Sequence, residues 1–83
     1  MNIDERTKEL IAIGASVAAN CQPCLEYHAA KAMELGADAA EVREAMDAGK
    51  LVRKGASGKM DKFILHLLND PAASETPDGS CGG

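Results

Sequence analysis

The feature that most constrains the fold is the spacing of the apolar residues, which recur every three or four positions along most of the chain. Leu10, Ile13 and Val17 follow this spacing near the start, and Phe63 and Leu67 follow it near the end. Residues at this spacing share one face of an α-helix, whereas a half-buried strand needs strict alternation. The sequence has no alternating run and no internal repeat of roughly 20–50 residues. The pattern therefore predicts an all-α fold.

Residues that start or stop helices divide this pattern into four predicted helices. The signals are Asp and Asn as N-caps, proline in a first turn and glycine after a C-terminus. The predicted helices run from about residue 4 to 19, from an N-cap at Asn20 to about Leu35, from Asp38 to a break at residues 55–58 (GASG), and from that break to Asn69. The first two are expected to fold back on each other as an antiparallel hairpin.

Several single residues support these boundaries. Pro23 lies in the first turn of the second helix, where its missing N–H is tolerated, and Gly36 suits the position after that helix ends. Asp38 and Glu41 have the spacing of a capping box. Gly49 lies inside the third helix, where it costs stability relative to alanine. Close approach of another helix at Gly49 would explain its presence.

The length and composition indicate one small domain with a thin core. We predict a helical domain over residues 1–69 and a flexible tail over residues 70–83, because the tail has too few apolar groups to pack. The chain has one Phe, one Tyr and no Trp, and it is rich in alanine. Domains of this size often need a disulfide, a bound metal or a partner subunit to be stable. We therefore expect a homo-oligomer.

The charge balance excludes some classes of partner. Nine Lys and Arg residues against 13 Asp and Glu give a formal net charge of −4, and a nucleic-acid or anionic-membrane surface would need a basic patch. No apolar run approaches the ~20 residues of a membrane span, and the charged N-terminus lacks the apolar core of a signal peptide. We expect a cytoplasmic protein that binds neither nucleic acid nor membrane and needs no cofactor.

The chemistry of the chain is concentrated in NCQPCLEYH, residues 20–28, where Cys21 and Cys24 form a Cys-x-x-Cys pair. In a reducing compartment such a pair is more often catalytic or metal-binding than a permanent staple. At a helix N-terminus, the unpaired backbone N–H groups and the helix dipole stabilise a thiolate. The spacing puts both sulfurs on one side of the first turn, so that they can bridge.

His28 and Glu9 are the candidate partners of this pair. His28 lies four residues after Cys24, on the same helical face and one turn away, where an imidazole can exchange a proton with the thiol. Glu9 lies eleven residues before the predicted turn at Asn20 and His28 eight after it. At ~1.5 Å rise per residue, the axial mismatch across a hairpin is about 4–5 Å. A carboxylate at Glu9 could therefore reach the imidazole directly or through one water.

Two other interpretations of the cysteine pair stay open from the residues alone. A structural zinc ion needs four Cys or His ligands, and Cys21, Cys24 and His28 would have to be completed by Cys81 or His66. A permanent structural disulfide is the second. Cys81, in the glycine-flanked GSCGG, is either a free thiol on the tail or a shuttle that reaches the Cys21–Cys24 disulfide.

Taken together, these residues resemble the AhpD-like (alkylhydroperoxidase) core of the carboxymuconolactone decarboxylase superfamily. The resemblance covers about residues 5–56, and it is carried by Glu9, Cys21-Gln22-Pro23-Cys24 and His28, followed by Gly36 and Glu41-Val42. It implies a helical fold that assembles into trimers or hexamers, with thiol-dependent peroxidase or disulfide-reductase chemistry. It also implies that Cys24 is the attacking thiolate, that Cys21 resolves the sulfenic acid, and that His28 and Glu9 form a proton relay.

Two features bear on which chemistry to expect. AhpD itself has a histidine before its second cysteine, and this chain has Pro23 there. Cys-Gln-Pro-Cys is similar to the Cys-x-Pro-Cys of thioredoxin-type motifs, which favours disulfide exchange. In such motifs the first cysteine attacks, whereas the position of His28 and the AhpD resemblance favour Cys24.

We accordingly expect a thiol oxidoreductase that reduces hydroperoxides or disulfides. Its electrons would come from a thioredoxin-like, lipoyl or small-thiol donor. The alternatives are a non-enzymatic, redox-sensing oligomer and a metal-binding module.

Overall fold

The computed structural model describes residues 2–69, which form three α-helices. These are α1 (Glu5–Ala18), α2 (Gln22–Glu34) and α3 (Ala39–Asn69). Residues 2–69 contain no strand, so the all-α prediction is confirmed. The predicted tail, residues 70–83 with Cys81, lies outside the described residues.

The turn between α1 and α2 is closed by Asn20, which has a left-handed backbone with φ of 57°. The Asn20 N–H donates to Val17 O at 3.1 Å, and the Cys21 N–H donates to Ser16 O at 2.9 Å. This pair of bonds is a Schellman motif, which satisfies the last carbonyls of α1. The expectation that Asn20 caps α2 is therefore wrong. Asn20 ends α1, because asparagine tolerates a positive φ, and Cys21 is the N-cap of α2.

The turn between α2 and α3 contains the predicted helix stop and the predicted capping box. Gly36, with φ of 100°, follows the end of α2, and the Ala37 N–H donates to Ala32 O at 3.0 Å. The Glu41 N–H donates to Asp38 Oδ1 at 2.8 Å, and the Asp38 N–H donates to Glu41 Oε1 at 3.1 Å. The capping box is thus formed in both directions, and it fixes the start of α3.

The predicted break at residues 55–58 does not occur, because α3 continues from Ala39 to Asn69. Three helices therefore replace the four that were expected. Gly55 and Gly58 each lower helix stability by about 1 kcal/mol relative to alanine, but neither has the positive φ that would end a helix. The residues around them, such as Lys54 and Lys59, are good helix formers.

The chain divides into two compact units, the first ending at Arg53 and the second beginning at Lys54. The core of the first unit consists of the buried side chains of Ile13, Ala32, Ala37 and Val42. In the second unit Leu67 is half-buried, and the other side chains of residues 54–69 are exposed. Within the described residues, no helix is both long enough and apolar enough to cross a membrane.

Gly49 lies at a close approach between α1 and the first part of α3. It is buried, and a Cβ at this position would collide with the backbone of Gly14 and would lie 2.8 Å from Val17 Cβ. A Cβ at Gly14 would in turn lie 3.1 Å from Ala45 O. The close helix approach expected at Gly49 is therefore present, and it places α1 against the first part of α3.

Candidate active site at the start of the second helix

The site is centred on Cys21 and Cys24, which are joined by a disulfide with a Cα–Cα distance of 5.3 Å. Cys21 has an extended backbone as the N-cap of α2, and Pro23 lies in the first turn. The two cysteines differ in exposure, since Cys24 is exposed and Cys21 is half-buried. Cys24 is therefore the more accessible of the two cysteines to a reagent in solution.

The start of α2 is electrostatically suited to a thiolate. The Cys21 side chain makes no capping hydrogen bond, and the first turn of α2 contains no acidic residue. The first backbone N–H groups of a helix lack partners within the helix and carry the positive end of its dipole. When the disulfide is reduced, a negative charge on either sulfur lies at this positive end.

Glu9 on α1 and His28 on α2 are in direct contact, with Glu9 Oε1 2.6 Å from His28 Nδ1. An ionised carboxylate can only accept, so His28 donates this hydrogen bond from Nδ1–H, and in that tautomer Nε2 is the ring nitrogen that can accept a proton from another group. The pair is shielded, with relative side-chain exposures of 29% for His28 and 16% for Glu9. The ring of Tyr27 meets that of His28 edge-on, with centroids 5.0 Å apart.

A cavity of about 180 Å³ lies beside Cys21. Its walls include Val17, Leu25, Asn20 and Arg53. Cys24 is not among the residues that line it. The Arg53 guanidinium donates from Nη1 to Asn20 Oδ1 at 2.9 Å. The cation of Arg53 and the half-buried Cys21 therefore line the same cavity.

Arg53 was not among the site residues predicted from the sequence. The contact with Asn20 spans 33 positions. No short motif signals such a contact, because it depends on how α3 packs against α1.

The ligand set considered for zinc is not assembled in the part of the chain that the structure describes. No group of three or more His, Cys, Asp or Glu side chains in residues 2–69 is arranged to hold a metal ion. Cys81 lies outside these residues.

Fold and site together define a small helical protein whose Cys-x-x-Cys opens the second helix of a hairpin, with a Glu–His pair one turn further along. The sequence profile of the carboxymuconolactone decarboxylase family matches residues 2–56, about two thirds of the chain. The chain belongs to this family, which contains the AhpD-like proteins. Comparison with curated proteins and with solved structures finds no match.

Proposed function

We propose that this protein is a thiol oxidoreductase of AhpD type that reduces hydroperoxides or disulfides by cycling Cys21 and Cys24 between dithiol and disulfide. The observation that carries the proposal is the 2.6 Å contact between Glu9 and His28. A structural disulfide needs no proton acceptor nearby. A catalytic thiol does, because the thiolate is the reactive form and its leaving group needs a proton.

In the peroxidase cycle, His28 Nε2 accepts the proton of the Cys24 thiol, and Glu9 stabilises the imidazolium that forms. The Cys24 thiolate attacks the distal peroxide oxygen, the O–O bond breaks, and His28 returns the proton to the departing alkoxide. Cys24 is then a sulfenic acid and the product is an alcohol. The Cys21 thiol displaces water from this sulfenic acid and forms the Cys21–Cys24 disulfide, the state that the structure contains.

In the disulfide-reductase cycle, the Cys24 thiolate attacks one sulfur of the substrate and releases a thiol, which takes its proton from His28. The Cys21 thiolate then attacks Cys24 in the mixed disulfide, releases the second thiol and leaves the same Cys21–Cys24 disulfide. Pro23 between the cysteines favours this cycle, as it does in thioredoxin-type motifs. Either cycle needs a donor that returns two electrons, and a thioredoxin-like, lipoyl or small-thiol donor would supply them.

The assignment of Cys24 as nucleophile is supported by two features of the site. Cys24 is exposed, whereas Cys21 is half-buried. Cys24 also lies one helical turn from His28, and residues four apart on a helix are neighbours. Cys21 lies two turns from His28. We place the reaction in the cytoplasm, where a reduced donor pool is available.

We further propose that the protein works as a homo-oligomer, a trimer or hexamer as in the family it belongs to. An open groove of about 650 Å³ runs between α1 and the first part of α3, and its lining is predominantly apolar. Ile11 and Val52 line it and are 56% and 63% exposed. A second copy that covers this α1–α3 groove would bury surface that the thin core of one chain leaves in water.

The proposed function is tested by steady-state turnover of the reduced protein with excess dithiol. A hydroperoxide and a disulfide are offered in separate reactions. Cys24→Ser should abolish turnover of both. In a separate reaction without dithiol, reduced Cys21→Ser should react once with peroxide and then stop at the sulfenic acid, which a dimedone-type trap and mass spectrometry detect.

Two results would contradict the proposal. The first is wild-type turnover no faster than the uncatalysed reaction with either acceptor. That result, together with a measurable midpoint potential for the pair, would favour a redox-sensing oligomer. The second is Cys24→Ser with full activity, which would move the nucleophile to Cys21.

A further inference from the structure

The cavity beside Cys21 has no role in the steps that reduce the substrate. Its volume of about 180 Å³ equals that of roughly six water molecules at ~30 Å³ each. Pockets for drug-sized ligands begin at about 300 Å³. The cavity therefore suits a small molecule of a few heavy atoms. Cys21 lines this cavity and Cys24 does not, so a molecule inside it lies beside the cysteine that is not the proposed nucleophile.

Arg53 gives this cavity a chemical preference. Its side chain is exposed, and its hydrogen bonds within residues 2–69 both leave from Nη1, to Asn20 Oδ1 at 2.9 Å and to Val17 O at 3.4 Å. A guanidinium has five N–H donors, so Nε and Nη2 keep donors for a ligand. Its planar fork matches a carboxylate. No Asp or Glu is among the described residues that line the cavity.

Part of the lining is apolar. Leu25 and Val17 line the same cavity as Arg53 and Cys21. The cavity thus offers a cation, apolar side chains and a cysteine. A ligand that suits all three has an anionic group for Arg53, a short hydrocarbon segment for the apolar side chains, and a sulfur that can react with Cys21.

We propose that this cavity is the docking site of the electron donor, and that the donor is a small thiol carrying a carboxylate, which Arg53 binds. The proposal rests on the proposed function, since it names the class of donor for that cycle. The proposal also assigns the reduction of substrate and the rereduction of the protein disulfide to two different cysteines. The substrate is reduced at exposed Cys24, and the disulfide is rereduced at Cys21 from the cavity.

Reduction of the protein disulfide consumes two donor thiols. The donor thiolate attacks Cys21 Sγ, the Cys21–Cys24 bond breaks, and Cys24 leaves as a thiolate that His28 can protonate. A second donor thiolate attacks the donor sulfur of the mixed disulfide and releases Cys21 as a thiolate. Two donor thiols are thereby oxidised to one donor disulfide, and the protein disulfide is reduced to two thiols.

The test measures the rate constant for reduction of the oxidised protein by each of three thiols of similar size and different charge. They are 3-mercaptopropionate (anionic), 2-mercaptoethanol (neutral) and cysteamine (cationic). The variants are Arg53→Gln and Arg53→Glu, with Arg43→Gln as the matched control, because Arg43 is an exposed cation on α3 that does not line the cavity. Rates are compared between variants for one thiol at a time, so the intrinsic reactivity of each thiol cancels.

Arg53→Gln should slow reduction by 3-mercaptopropionate about tenfold and change the rate with 2-mercaptoethanol less than about twofold. Arg53→Glu should shift the preference to cysteamine, a gain that a misfolded protein cannot show. Arg43→Gln should leave the anionic-to-neutral ratio unchanged. The ratio should persist at ~0.5 M salt, where long-range attraction between exposed charges is screened.

The proposal is overturned if Arg53→Gln slows all three thiols equally, or if Arg43→Gln changes the ratio as much as Arg53→Gln does. Since this assay needs no hydroperoxide or disulfide substrate, it is independent of turnover. If the protein turns over substrate but shows no preference for the anionic thiol, the docking site is contradicted and the proposed function is not. A protein that prefers the anionic thiol but does not turn over supports the docking site and contradicts the enzyme.

Discussion

Glu9 on α1 and His28 on α2 stand 19 positions apart in the chain and meet across the helix hairpin, with Oε1 2.6 Å from Nδ1. In the proposed relay, Glu9 acts on the reaction through the imidazole that it contacts. Its effect on turnover should therefore disappear when the imidazole is removed.

We expect His28→Asn to lower kcat/KM about 100-fold, because a positioned proton acceptor contributes on that scale. Glu9→Gln should lower it about tenfold, since the amide cannot stabilise an imidazolium as a carboxylate does. The double variant should be no slower than His28→Asn alone. Glu26→Gln removes an exposed carboxylate from α2 between Cys24 and His28 and is the control. Additive effects of Glu9→Gln and His28→Asn would contradict a relay.

The contact between Gly49 and Gly14 predicts a large difference between two glycine-to-alanine substitutions. Gly49→Ala puts a methyl group into the Gly14 backbone and Val17 Cβ, and we expect it to lower the free energy of unfolding by about 1–3 kcal/mol. Gly55→Ala meets nothing within 4 Å in a helical segment, and it should raise that free energy by about 0.5–1 kcal/mol. Urea unfolding at one fixed protein concentration measures both. Equal tolerance of the two substitutions would contradict the close helix approach.

Asp4 is the N-cap of α1, and its Oδ1 accepts a hydrogen bond from the Thr7 N–H at 2.7 Å. This cap predicts a pH-dependent contribution to stability. The pKa of Asp4 is lowered from its ordinary value of 3.8, first by the hydrogen bond from the Thr7 backbone N–H and then by the Thr7 side chain. A lowered folded-state pKa means that the carboxylate stabilises the fold above the unfolded-state value and loses this effect as the pH falls through the folded-state value. The stabilisation is therefore present above about pH 4 and disappears below it.

Asp4→Asn keeps an acceptor at the cap and removes the charge. We expect the wild type to have the higher Tm at pH 5–7 (a range set by the ordinary carboxyl pKa of about 4) and the difference to shrink as the pH approaches about 3. Asp47→Asn, which removes an exposed charge from the interior of α3, is the control. A difference between the wild type and Asp4→Asn that does not change with pH would contradict the cap's role.

The α1–α3 groove predicts the oligomeric state. If a second copy covers it, the wild type should have a solution mass several times the 8.6 kDa of one chain, by light scattering. Ile11→Glu places a charge in the groove and should dissociate the assembly, because an unpaired buried charge is costly. Met33→Glu makes the same kind of change at an exposed apolar residue on α2 outside the groove. A monomeric wild type would contradict the proposal, as would equal effects of the two substitutions.

Local rules predicted the parts of this structure that depend on neighbouring residues. The capping box of Asp38 and Glu41, the stop at Gly36 and the position of Pro23 depend on residues within one turn of each other. The contact between Glu9 and His28 could also be anticipated, because a short hairpin fixes the register of its two helices.

Other parts could not be predicted, because the same residue type suits two different structures or because the contact is distant in the chain. Asparagine suits both an N-cap and a left-handed residue, and the position of Cys21 at the helix start decided between them at Asn20. The glycines at 55 and 58 weaken a helix without ending it. Arg53 reaches Asn20 only because α3 packs on α1, so nothing near Arg53 in the sequence indicates that contact.

Cys21 is the N-cap of α2, and its side chain makes no capping hydrogen bond. Serine, threonine, asparagine or aspartate would bond the helix amides there. A screen that selects only for thermal resistance should therefore favour these residues at position 21 and discard the sulfur that the proposed cycle requires. At position 21, a substitution that raises thermal stability would then abolish activity. Sequences drawn toward maximal stability would be expected to lose the redox pair first.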